Sequence, residues 1–165
     1  MESQQILSEK VRHVGKFDFK ETYRILFEWL TDKGYNISEK YYKEVIGQGG
    51  AKEVDIKWVA SKLVSSYFKF EMSLEYKIIA LVSVEEEVNG VKIKMNKGDL
   101  TLTVKSSIIK DYEGQWDSGP LKFLRNIYDK NLTPERMDGQ IGEIIGETEE
   151  FVAEIKAFLI LTGKR

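Results

Sequence analysis

The residue types that perform most enzymatic chemistry are scarce in this chain. His13 is the only histidine, so neither a histidine dyad nor a multi-histidine metal site can form within one copy. General base catalysis would need a positioned partner for it, and none is identifiable nearby in the sequence. There is no cysteine, which removes disulfides, thiolate nucleophiles and sulfur-ligated zinc or iron. Carboxylates are plentiful. Glu85-Glu86-Glu87 and Glu149-Glu150 are the densest groups, but the first flanks a hairpin tip where solvated charge and strand pairing account for it. The second is predicted on a helix surface, without a metal-ligand pattern. Gly47-Gln48-Gly49-Gly50-Ala51-Lys52 suggests a phosphate loop only superficially, because the spaced glycines, the Lys-Ser/Thr ending and the following helix are missing. Asn96-Lys97-Gly98-Asp99 could aim side chains into a site if it forms a β-bulge.

Composition sets the frame. A 165-residue chain with 42% hydrophobic and 12% aromatic residues suffices for one domain with a sizeable core. Charged residues make up 32%, and no run of eighteen apolar residues occurs, so the expectation is a folded soluble chain without a membrane span. Residues 1–10 are polar and lack the pattern of a secretory signal, which points to a cytoplasmic protein. With 25 basic and 27 acidic side chains, net charge −2, no broad positive field is expected, and nucleic acid is not an expected partner.

The elements follow from periodicity. Asp18 and Glu21 have capping-box spacing, and Phe19, Tyr23, Leu26, Phe27 and Leu30 recur at helical steps that should end near Lys33-Gly34. Ile25 and Trp29 widen the apolar face, so this helix is predicted to be covered on more than one side. From Tyr41 to about Tyr112 the period becomes 2, predicting four strands. The third alternates from Phe68 to Val84, and Asn89-Gly90 then forms a two-residue hairpin turn. That turn places Val88 opposite Val91, Glu87 opposite Lys92, Glu85 opposite Lys94 and Val84 opposite Met95. Beyond Met95 the apolar positions change parity, so a bulge is predicted near Asn96-Lys97-Gly98, with Ala80 opposite Leu100 and Ile78 opposite Leu102. Ser118-Gly119-Pro120 signals a second helix carrying Leu121, Leu124, Ile127 and Tyr128. Thr133-Pro134 starts a last helix of about thirty residues, about 45 Å long at ~1.5 Å per residue, whose Gly139, Gly142 and Gly146 would allow close approach to its support. Residues 1–16 are read as either an edge strand or a loose arm. The fold class is α+β: an antiparallel sheet of four or more long strands, with an N-terminal helix and a long C-terminal helix on one face.

Several segments carry a resemblance: Tyr23 to Tyr35, Gly50-Ala51-Lys52-Glu53, Met95 to Asp99, and Phe123 to Lys130. Together they resemble a family of uncharacterised archaeal proteins with no assigned function, from about His13 to the C-terminus. The architecture is similar to the helix-grip fold of START and Bet v 1 proteins, although those usually have more strands and two short helices where this chain has one. That likeness implies a ligand cavity between sheet and C-terminal helix.

Two functional expectations result. Trp58, Phe70, Met72, Tyr76 and Phe151 form either plain core or, with Arg125, the lining of an apolar ligand site in a non-enzymatic binding module. Trp58, Tyr76 and Arg125 would be its polar contacts. On the other sheet face Val59, Leu63, Ile79 and Leu81 are either covered by residues 1–16 or form a surface for protein interaction or oligomerisation. Trp116, beside Tyr112, is read as tucked under the second helix or as a protein anchor. No cofactor or metal is expected.

Overall fold

The computed structural model describes residues 1–114, 119–121, 123, 124, 127 and 134–163. Trp116, Arg125 and Tyr128 lie outside them. The fold is α+β. Strand β1 (Glu2–Phe17) leads into helix α1 (Phe19–Asp32), then β2 (Asn36–Ile46), β3 (Lys52–Leu63), β4 (Phe68–Val88), β5 (Val91–Lys110) and helix α2 (Pro134–Gly163). The five strands form one antiparallel sheet in the order β1-β5-β4-β3-β2. Residues 1–16 are therefore an edge strand in the plane of the sheet, not a cover over its outer face.

Both helices lie on one sheet face. The inner-facing residues Ile56, Trp58, Phe70, Met72, Leu74, Tyr76, Ile78, Leu100, Leu102 and Val104 are all buried, and α1 adds Leu26 and Leu30 to the same core. The other side of α1 meets α2, where the Trp29 and Phe151 rings are 4.9 Å apart between centroids. Helix α2 crosses the sheet diagonally. Midway along it Glu147 reaches Tyr35 and Lys62, and the adjacent Thr148 hydroxyl is hydrogen-bonded to that of Ser106 at 2.6 Å; at its end Gly163 abuts His13. Serine at an otherwise apolar inner position lets the helix settle close to β5 while Thr148 satisfies the buried hydroxyl. Gly139, Gly142 and Gly146 do not mark a close approach, because a methyl group added at any of them would meet nothing within 4 Å. The tight contact is at Gly163, where an added Cβ would lie 3.0 Å from the His13 ring and 3.2 Å from the Lys16 carbonyl.

The Asn89-Gly90 hairpin has the four cross-strand pairs its sequence dictates, Val88/Val91, Glu87/Lys92, Glu85/Lys94 and Val84/Met95. The bulge is in the facing strand. The extra residue sits in β4 between Ile79 and Val82, so Ile78 pairs with Leu100 and Tyr76 with Leu102, not the predicted Ile78/Leu102. Ala80 takes the left-handed conformation (φ 57°), which turns Leu81 inward, 7% exposed. Leu81 therefore leaves the outer-face set to which its parity assigned it.

This bulge belongs to a line of irregularities running across the sheet. On β1, Gly15 (φ 132°) pairs with Gly98 of β5. A Cβ at Gly98 would lie 3.2 Å from both Ile78 Cγ2 and the Ile79 carbonyl, so a side chain there would crowd the bulged strand. The β3–β4 register shifts at the same level, between Lys52 and Val54. The one extra residue of β4 thus offsets its pairing with both β3 and β5, level with Gly98 and Gly15, and bulges and glycine kinks are the devices that curve a sheet. Ala80→Gly is expected to stabilise the protein by about 0.5 kcal/mol, since relief of the αL strain outweighs the added unfolded-state entropy. The urea midpoint should rise; in ordinary strand geometry glycine would instead lower the stability by about 0.5–1 kcal/mol and the midpoint with it.

Candidate functional site

The bend opens a groove beside the start of α1. Asp18 caps the helix, its Oδ1 accepting from the Glu21 N–H at 3.0 Å, and the Phe19 N–H donates to Asn96 Oδ1 at 3.0 Å. These bonds fasten the first turn of α1 to β5 and aim two aromatic rings at the sheet. Phe19 stacks on Tyr76 at 6.0 Å, with planes 7° apart. One turn later Tyr23 meets Trp58 edge-on at 4.9 Å. The Tyr23 hydroxyl and the Trp58 indole N–H both donate to Glu39 Oε2, at 2.6 and 2.8 Å. Burial and this carboxylate push the Tyr23 hydroxyl up to about 12, keeping it a neutral donor over the physiological range.

The groove encloses about 500 Å³ and is lined by Phe19, Tyr42, Leu81, Val82, Ser83 and Asn96, with Glu44, Lys52 and the glycines of the β2–β3 turn at its rim. Glu44 and Lys52 are ion-paired there at 2.8 Å. A second recess of about 310 Å³, lined by Phe19, Lys20, Tyr23 and Tyr42, shares its aromatic wall. Five of its ten lining residues carry polar side chains: Tyr42, Glu44, Lys52, Ser83 and Asn96. Asn96 uses its carbonyl oxygen on the Phe19 N–H, leaving its NH₂ as a donor, and Ser83 supplies a hydroxyl. No nucleophile with an adjacent base lines the groove, and no group of three or more metal-ligating side chains occurs among the described residues.

The residues singled out in the sequence lie elsewhere in the core. Phe70, Met72 and Phe151 have no exposed surface, and Trp58 and Tyr76 are each 3% exposed. Helix α1 rather than α2 covers the latter pair: Leu26 and Tyr23 close over them, leaving a void of about 10 Å³, the scale of a single water. The Tyr76 hydroxyl is buried without a hydrogen bond of ordinary geometry, and burial raises its pKa well above the usual tyrosine range. On the outer face Leu63 and Ile79 are 64% and 57% exposed, Val59 is half-buried and Leu81 is absent.

Gly47 to Lys52 forms a short 3₁₀ turn followed by a strand, and its Gly49, Gly50 and Lys52 reach the groove rim. Glu86 pairs with Lys16, while His13 Nε2 contacts the Lys16 carbonyl at 2.7 Å. Tyr112 donates to the Ser65 carbonyl at 3.1 Å. Sequence reasoning missed the groove because its walls come from α1, β2, β3, β4 and β5, and the two segments with a local signal, Gly47 to Lys52 and Asn96 to Asp99, are far apart in the chain and meet only in the fold.

Comparison with protein families finds no model that matches this chain, and comparison with curated proteins finds no match. No helix among the described residues is long and apolar enough to cross a membrane.

Proposed function

We propose that this protein is a non-enzymatic binding module whose ligand, a small and predominantly apolar molecule with a polar end, occupies the groove at the sheet bend. The observation that carries this reading is the contrast between a core filled at Trp58, Phe70, Met72, Tyr76 and Phe151 and an adjoining space of about 500 Å³ that sets Phe19, Leu81 and Val82 beside the polar side chains of Tyr42, Glu44, Lys52, Ser83 and Asn96. That volume lies within the range of small-molecule sites, about 300–1,000 Å³. Leu81 and Val82 would take the apolar body, Phe19 and Tyr42 would flank it, and Ser83, Asn96 and the Glu44–Lys52 pair would meet its polar end. A first strand paired with the last, and a terminal helix laid across them, support the helix-grip likeness. In this chain the site is displaced from beneath the terminal helix to the mouth beside α1.

The test uses 1-anilinonaphthalene-8-sulfonate as probe and Ser83→Trp as the blocking variant. Ser83 is exposed and lines the groove, so a large ring there fills space without removing core. Probe fluorescence should saturate on the native protein, and Ser83→Trp should weaken binding about 10-fold, roughly 1.4 kcal/mol. Undiminished binding in the variant would remove the groove as the site.

A further inference from the structure

A second recess lies on the opposite side of the molecule from β2, where the free edge of β1 runs beside the last turns of α2. It measures about 260 Å³ and is lined by Lys10, Val11, Arg12 and His13 of the strand and by Lys156, Leu159 and Ile160 of the helix. Among the described residues β1 has a single neighbouring strand, β5. In an antiparallel edge strand alternate residues direct N–H and C=O away from that neighbour, forming a template for one more strand. The helix supplies a wall for that strand. Ile160 and Leu161 stand 54% and 68% exposed beside it, and the recess is closed at one end where Gly163 meets Lys16 and His13.

Charge selects the occupant. All four titratable side chains lining the recess are basic types, and no carboxylate lines it. Arg12 is held by Asp99 at 2.8 Å, whereas Lys10 and Lys156 have no ion-pair partner among the described residues. Register places Lys10 and Arg12 on the outer face, with Val11 on the inner, helix-bearing face. A second copy pairing through the same edge near Lys10 would bring Lys10 and Arg12 close to their own counterparts, a like-charge arrangement that destabilises strand pairs. An acidic strand meets no such opposition.

We infer that the β1 edge and α2 form a docking site for an extended acidic peptide segment of another protein, which adds to the sheet as a sixth strand. Its outer-face side chains are acids facing Lys10. Its inner-face side chains are apolar and pack on Leu159 and Ile160, with Lys156 binding a further carboxylate. This mode combines backbone pairing for affinity with alternate side chains for specificity.

The experiment is fluorescence anisotropy of the full chain with a labelled, end-blocked hexapeptide of alternating glutamate and valine. Three comparisons accompany it: a lysine-valine peptide, the glutamate-valine peptide with alternate N-methylated amides, and the exposed-surface variant Lys10→Glu/Lys156→Glu, checked for folding by circular dichroism. The glutamate peptide should bind the native protein, lose at least 10-fold in affinity on N-methylation and at least 10-fold with the double variant, and the double variant should prefer the lysine peptide. Absence of binding to the native protein overturns the inference. So does binding indifferent to N-methylation, which would mean charge attraction without strand addition. Light scattering that showed a dimer dissociated by the same peptide would give the edge to a second copy and also overturn it.

Discussion

Phe151→Ala is expected to lower the free energy of unfolding by about 3–5 kcal/mol, the usual cost of truncating a fully buried phenylalanine. Phe151 has no exposed surface and rests on Trp29 of α1, so it joins α2, α1 and the sheet. Deleting the ring removes its transfer energy and leaves a cavity that three elements would have to close together. Such a loss is a large fraction of the ~5–15 kcal/mol stability of a typical domain, and the variant should be partly unfolded well below the native urea midpoint. Leu63→Ala, at a position 64% exposed on the outer face, is the control and should change stability by less than about 0.5 kcal/mol. Equal effects at the two positions would mean that α2 does not roof the sheet.

Glu147→Ala should cost about 2–3 kcal/mol, somewhat less than the ~3–5 kcal/mol of breaking a fully buried pair, because both charged partners keep some contact with water. Glu147 accepts from the Tyr35 hydroxyl at 2.5 Å and from Lys62 at 2.6 Å, and Lys62 also lies over the Tyr35 ring at 4.7 Å. Removing the carboxylate strands the hydroxyl of Tyr35, a residue 3% exposed, beside the ammonium of Lys62, whose side chain is 19% exposed. Burial, reinforced by Glu147, raises the Tyr35 pKa well above its ordinary value of 10.0. The sign follows from linkage: the unfolded chain gives up this proton near pH 10 while the folded one holds it. Stability from this site is therefore complete below pH 10 and falls as pH rises above it. Urea titrations at pH 8 and pH 11 should show that loss in the native protein, and Tyr35→Phe should remove part of it, the remainder belonging to Tyr23, Tyr41, Tyr42, Tyr76 and Lys52, which are raised in the same sense.

Local chemistry made α1, the hairpin turn and the long terminal helix legible. Asp18 caps where its spacing requires, and Asn89-Gly90 fixes four pairs outward from the turn. Register beyond Met95 was different in kind. A parity mismatch between two paired strands states that one residue is extra but not which strand holds it, and the glycine in β5 drew the assignment to Gly98. The extra residue lies in β4, at an alanine in a conformation that sequence would assign to glycine. Gly98 gives the bulge room, since a Cβ there would lie 3.2 Å from Ile78 Cγ2 and the Ile79 carbonyl. The same inversion moved Leu81 from the outer face to the groove. Residues 1–16 were ambiguous for a related reason: the β1 register also slips, between Gln5 and Leu7, which blurs alternation in the only strand that is not next to its pairing partner in sequence. As for the groove, a space shaped by a bend has no periodicity of its own, so neither Phe19 nor Tyr42 stood out from the core aromatics.

The groove reading is tested most directly by amide chemical-shift mapping of the native protein as 1-anilinonaphthalene-8-sulfonate is added to saturation. The largest changes should fall on Phe19, Tyr42, the Leu81-Val82-Ser83 segment and Asn96, with Phe70, Met72 and Phe151 nearly still. Changes centred on Phe70, Met72 and Phe151 instead would place the ligand beneath the terminal helix and contradict the account.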